Sequence, residues 1–121
     1  MRKKLTLRKI IKIHLIVGAR PNFIKLAPLF KSLQKKSFIK TKIIHTGQHT
    51  LDAMSGVFFN NFDLPKPDVN LNVSAKLHGQ MVGKIMIKYE KYILINRPDL
   101  IIIFGDVNST LACSIVAKKL G

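Results

Sequence analysis

Ile11 to Val17 is an apolar run rich in β-branched residues and closed by Gly18. Such a run bounded by a turn residue predicts a strand. From Pro21 to Lys36 the period changes: Phe23 or Ile24, Ala27, Leu29 or Phe30, and Leu33 recur at three- and four-residue steps. That spacing predicts a helix. Pro21 suits its first turn, where a missing N–H costs nothing, whereas Pro28 falls inside it and should remove a hydrogen bond and bend the axis. Ile39 to Thr46 repeats the strand signal and Gly47 ends it. Thr50 to Phe59 then reads as a short helix with Thr50 as its cap.

Phe62 to Ser74 carries Pro65, Pro67, Asp68 and two asparagines, so it reads as loop with a short strand near Val69 to Val73. The strongest helical pattern follows. Leu77, Met81, Val82, Ile85, Tyr89 and Ile93 fall on one face, while Lys84, Lys88 and Lys91 fall largely elsewhere. After Pro98, Leu100 to Phe104 is a continuous apolar strand of the kind buried on both faces, Gly105 breaks it, and Ser109 to Leu120 is helical. Alternating strands and helices imply an α/β fold with a Rossmann-like parallel sheet and right-handed crossovers. Three main strands make a small sheet of this type, so the domain reads as interrupted.

Composition narrows the class. Of 121 residues 47% are hydrophobic, which suits one globular domain with a real core. The single Cys113 excludes an internal disulfide framework and a multi-cysteine metal site, and it fits a reducing, cytoplasmic setting. No apolar run approaches the roughly 20 residues of a bilayer span, because Lys12 and His14 interrupt the first and Pro98 and Asp106 bracket the last. The same two residues argue against a secretory signal, leaving residues 1–10 as a basic leader before a domain over residues 11–121. Lys and Arg number 21 against 6 acidic residues, a formal charge of +15. That balance would favour a nucleic acid, an acidic membrane surface or a phosphorylated small molecule, or it reflects lysines spread over several solvent faces.

The strand ends carry the candidate chemistry, because ligands of parallel α/β sheets sit at the carboxyl ends of the strands. Gly18 and Ala19 precede Arg20 and a helix whose free N–H groups and dipole favour an anion. Arg20 suits a bidentate phosphate contact and Lys25 a second charge, although each would serve equally as a solvated cation. No three-glycine dinucleotide fingerprint is present, so NAD is not supported. His45-Thr46-Gly47-Gln48-His49 sets two imidazoles and an amide around the second turn, as proton carriers or as hydrogen-bonded loop residues. Metal binding is the weaker reading, for want of thiolate or carboxylate partners. Asp106, the only acid of the third turn, either caps the next helix beside Asn108 and Ser109 or moves a proton. Cys113 reads as core.

GARPNFIKLAP, HTGQH followed by a Met and FF, and PDLIIIFGDVNSTLA resemble, in order and approximate spacing, the amino-terminal domain of non-hydrolysing UDP-N-acetylglucosamine 2-epimerases. The resemblance runs from about Ile11 to Gly121. It implies the first half of a two-domain, glycosyltransferase-B-like fold, with a nucleotide sugar held between two Rossmann-like halves. It implies loss of the proton beside the acetamido group, elimination of UDP to a bound glycal, and re-addition with the proton delivered to the opposite face. No cofactor and no metal enter that scheme. Asp106 then matches an acid/base carboxylate, Lys25 a functional lysine, and Arg20, with Pro21, the diphosphate site. Gln48, His49 and Ser109 match the loops near the substrate, and Gln48 and His49 also lie near a regulatory UDP-sugar site of some members.

The resemblance further implies a homodimer, a cytoplasmic place in cell-surface polysaccharide synthesis, and neither nucleic-acid nor membrane partners. In the family a further carboxylate segment and a UDP-binding domain follow the Lys-Leu-Gly at which this sequence stops. The expectation is therefore of a truncated chain, inactive without a carboxy-terminal half. A non-catalytic binding partner of the same fold and a basic nucleic-acid binder are the other readings.

Overall fold

A computed structural model describes residues 9–18, 20–47, 64–104 and 108–121, with only the helical backbone of residues 20–23. The expected helix from Thr50 to Phe59 and most of the basic leader lie outside the described residues. Among the described residues three helices and four strands follow one another as β1 (Ile11–Val17), α1 (Arg20–Gln34), β2 (Ile39–His45), β3 (Val69–Asn70), α2 (His78–Ile95), β4 (Leu100–Ile102) and α3 (Asn108–Leu120). All described pairings are parallel, and the order across the sheet is β3-β2-β1-β4. This is the α/β parallel sheet that the alternating pattern predicts.

Period-two alternation along β1 supplies both layers, because successive side chains point to opposite faces. Ile13, Leu15 and Val17 pack with Ile43 of β2 and with Leu26 and Ala27 of α1. Ile16 and Ile44 face the other way, against Met81, Ile85, Tyr89 and Ile93 of α2 and Ala112, Cys113 and Val116 of α3. A strand covered on both faces needs apolar residues throughout, and β1 is buried from Ile13 to Val17. The β1–β2 register pairs Ile11 with Ile39 and runs unbroken to Val17 with His45.

Several details depart from the sequence reading, each for a local reason. Helix α1 continues through Pro28, which is exposed. The proline cannot bond the Ile24 carbonyl, but Ile24 is itself 56% exposed, so water is at hand for that carbonyl. The core face of α1 carries Ala27 with Leu29, Phe30 and Leu33 packed beside it, as the spacing predicts, and adds Leu26, while Ile24 is exposed and the side chain of Phe23 lies outside the described residues. Leu77 precedes α2 as its N-cap and is 64% exposed, so the buried face of α2 begins at Met81. Strand β4 is three residues long and pairs only with β1 among the described residues, leaving Leu100 52% exposed. The expected cover on both faces holds for β1 and for the run from Ile101 to Phe104, where Ile101 and Ile103 pack against one core layer and Ile102 and Phe104 against the other, and it fails at Leu100, since an apolar run cannot itself say which strand lies at the edge.

Among the described residues no helix is long and apolar enough to cross a membrane.

Candidate functional site at the carboxyl edge of the sheet

Parallel strands joined by helices put every strand's carboxyl end, and every helix's first turn, at one edge of the sheet. Gly18 follows β1 there and is buried. Thr46 follows β2, and its N–H donates to the Val17 carbonyl at 3.0 Å, extending the β1–β2 ladder by one bond. The Thr46 carbonyl accepts from the Val73 N–H at 3.0 Å, which draws the segment beyond β3 onto the same edge. Helix α3 is tied in by its first turn: the Thr46 and Ser109 hydroxyls lie 2.8 Å apart, both residues being buried. The Thr110 hydroxyl donates to the Phe104 carbonyl at 2.9 Å, which fixes the exit of β4 relative to α3.

His45 is 1% exposed, and its Nδ1 accepts the Gly47 N–H at 2.8 Å. That bond curls the chain back on itself at Gly47, whose φ is +86°. The conformation favours glycine, and space demands it too: a Cβ there would sit 2.8 Å from the Asn72 Cα. Gly47 is therefore a pinch point between the second turn and the loop after β3.

The expected site residues separate into three groups. Lys25 is exposed in the amino-terminal part of α1, at the site's edge of the sheet. Arg20 and Pro21 open that helix. Ser109 belongs to the first turn of α3 but turns inward onto Thr46, so it braces the edge instead of projecting from it. Gln48, His49 and Asp106 lie outside the described residues. Cys113 faces the core, where burial pushes its thiol up to about 12, consistent with its reading as packing.

One residue of this edge was missed from the sequence. His78 is the first residue of α2, exposed, with its Nδ1 3.3 Å from Nδ2 of Asn108 at the start of α3. The signal was present: once a parallel sheet is inferred, any polar residue in a helix's first turn is a candidate for the ligand edge. The exposed Leu77 had drawn that helix start into the core reading instead.

A parallel sheet with crossover helices and with helix amino-termini gathered at one edge defines the chain as a Rossmann-like α/β domain. The family model described as UDP-N-acetylglucosamine 2-epimerase matches residues 31–121. The chain belongs to the UDP-N-acetylglucosamine 2-epimerase family. It is 42% identical over 110 residues to the UDP-N-acetylglucosamine 2-epimerase of Methanocaldococcus jannaschii, covering 91% of this chain and 30% of that one. An alignment of that length in this chain necessarily includes Gly18 to Phe30, the turn that precedes the family match. It is 41% identical to the UDP-2,3-diacetamido-2,3-dideoxy-D-glucuronate 2-epimerase of Pseudomonas aeruginosa, covering 91% of this chain and 31% of that one. The crystal structure of the M. jannaschii enzyme in complex with UDP-GlcNAc and UDP superposes with a TM-score of 0.85, at 42% identity, over 91% of this chain and 30% of that chain. The chain thus spans about 30% of the length of these relatives.

Proposed function

We propose that this chain provides the amino-terminal part of a 2-epimerase acting on a UDP-linked 2-acetamido sugar, and that it turns over only with a carboxy-terminal half. The observation that supports this reading is the gathering of the carboxyl ends of β1, β2 and β4 with the first turn of α3 at one sheet edge, held by the Thr46–Ser109 hydroxyl pair. In this reading Asp106 takes or returns the proton beside the acetamido group. Arg20, with Pro21 fixing the first turn of α1, and Lys25 stabilise the departing diphosphate, as cations near a helix amino-terminus are suited to do. Gln48 and His49 border the sugar, and Ser109 keeps the start of α3, two residues beyond Asp106, at a fixed distance from β2. No redox or metal group has a part in this chemistry. The relatives' names share 2-epimerisation and UDP but differ in the sugar, so the substrate is given as a class. Homodimer formation belongs to the same proposal.

The reading is tested by incubating the chain with UDP-N-acetylglucosamine in deuterated water, alone and with a polypeptide carrying the carboxy-terminal half of a relative. Expected is no deuterium at the acetamido-bearing carbon with the chain alone, incorporation with the pair, and a loss of about 100-fold or more in the pair when Asp106→Asn is used. Turnover by the chain alone would refute its dependence on a second half. Full activity of Asp106→Asn would refute the assigned proton carrier.

A further inference from the structure

At the opposite, amino-terminal edge of the sheet lies a feature the epimerase chemistry does not use. A cavity of about 380 Å³ opens beside β1 and β2, with Lys12, Lys40, Lys42 and Arg97 around it. Lys12 is the direct cross-strand partner of Lys40, and His14 that of Lys42, so these side chains share one face of the sheet. Adjacent parallel strands stand about 4.8 Å apart and alternate residues about 6.6 Å apart along a strand. Three ammonium groups therefore start from a patch of backbone only a few ångströms across, and Arg97 lines the cavity from the loop after α2, its Nη2 donating to the Leu120 carbonyl at 2.7 Å.

Like charges directly opposed across a ladder destabilise it. No carboxylate lines the cavity among the described residues. Asp99, the nearest in sequence, uses Oδ2 to accept the Lys12 N–H at 2.8 Å and holds Oδ1 3.9 Å from Lys9 Nζ. His14 adds no charge at neutral pH: burial, with Lys42 also acting downward, takes its pKa to about 4 against an opposing hydrogen bond to the Asn96 backbone. The walls also include Ile10 and Ile95, which are 40% and 83% exposed. Concentrated positive charge with an apolar wall, in a recess of ligand-pocket size, suits a small phosphorylated molecule.

We propose that the cavity between Lys12, Lys40, Lys42 and Arg97 is a second anion site, taking adjacent phosphate groups at the sheet edge opposite the epimerase residues. Lys12, Lys40 and Lys42 are exposed and turn toward the anion without rearranging the core, and the exposed Arg97 does so on giving up the 2.7 Å bond from its Nη2 to the Leu120 carbonyl. A basic surface acting only through the overall charge of +15 would respond to any loss of lysine alike. A built site responds to loss of these lysines alone.

The test is thermal unfolding of the chain at constant ionic strength, with inorganic pyrophosphate replacing chloride, with titration calorimetry of pyrophosphate as the direct binding measurement. Expected is a rise in Tm of about 4 °C or more at an excess of about tenfold over Kd. Lys118→Gln with Lys119→Gln, an equal loss of charge in the last turn of α3, keeps the rise. Lys40→Gln with Lys42→Gln abolishes it, and the single Lys12→Gln, kept for the case that the double variant fails to fold, weakens pyrophosphate binding by at least fivefold. No rise in the unaltered chain, or an equal loss in the Lys118 and Lys119 variant, would each overturn the assignment.

Discussion

His14 is a histidine kept neutral by its surroundings. Its ring is 3% exposed, Nδ1 lies 2.7 Å from the Tyr89 hydroxyl, and the Tyr92 ring is 5.4 Å away. Burial raises the Tyr89 phenol as well, so it remains protonated and donates to Nδ1. The folded pKa of about 4 lies below the unfolded value of about 6.5. The unfolded chain therefore takes up a proton that the folded chain refuses. The stability associated with His14 is complete above about pH 6.5 and falls as the pH drops toward 4, with a slope no steeper than about 1.4 kcal/mol per pH unit. Urea midpoints measured from pH 7 to 4.5 should fall less for His14→Leu than for the unaltered chain; parallel curves would contradict the assignment. At Gly47 two strains coincide, the positive φ and the backbone of Asn72 only 2.8 Å from a Cβ. Gly47→Ala should cost about 1–3 kcal/mol in chemical unfolding, and a neutral result would mean that the turn relaxes.

Between elements, the Thr46–Ser109 hydroxyl pair joins β2 to α3 across 63 residues of sequence. Removing one member leaves a buried hydroxyl without that partner, at a cost of about 1–3 kcal/mol, whereas removing both costs less than the sum. A double-mutant cycle of Thr46→Val and Ser109→Ala should thus show a coupling of about 1 kcal/mol; additivity would reduce the pair to a coincidence of packing. This pair marks the limit of what the sequence discloses. The strands β1 and β2, the helix α2 and the turns after them were legible because apolar period and turn residues are local signals. Lys25 and the turn starting at Arg20 could be assigned to one edge because parallel topology dictates it. The inward turn of Ser109 and the His78–Asn108 contact depend on partners 63 and 30 residues away, and no local pattern encodes them. The exposure of Leu100 at the start of β4 escaped for the same reason, since burial of a strand depends on its neighbours and not on its own apolar run.

On the scale of the whole molecule, two properties govern behaviour in solution. The +15 formal charge makes the folded state repel itself. The other is the outer side of β4, where Leu100 is half exposed beside an unpaired strand edge among the described residues. Leu100→Lys should leave the unfolding free energy within about 0.5 kcal/mol while slowing aggregation at fixed protein concentration. Light scattering during incubation near 40 °C is the measurement, and undiminished aggregation would place the sticky surface elsewhere.

The position of β1 in the middle of the sheet has a consequence for the order of events as the chain is made. It pairs with β2, whose first residue follows its own by 28 positions (Ile11 with Ile39), but its other neighbour is met at Leu100, and the Lys12–Asp99 bond spans 87 residues. At about 5–20 residues per second of synthesis, β1 waits roughly 4–20 seconds for that second partner. Until then its apolar edge has nothing of its own to pair with, and it is over this interval that a nascent chain would be most in need of a chaperone.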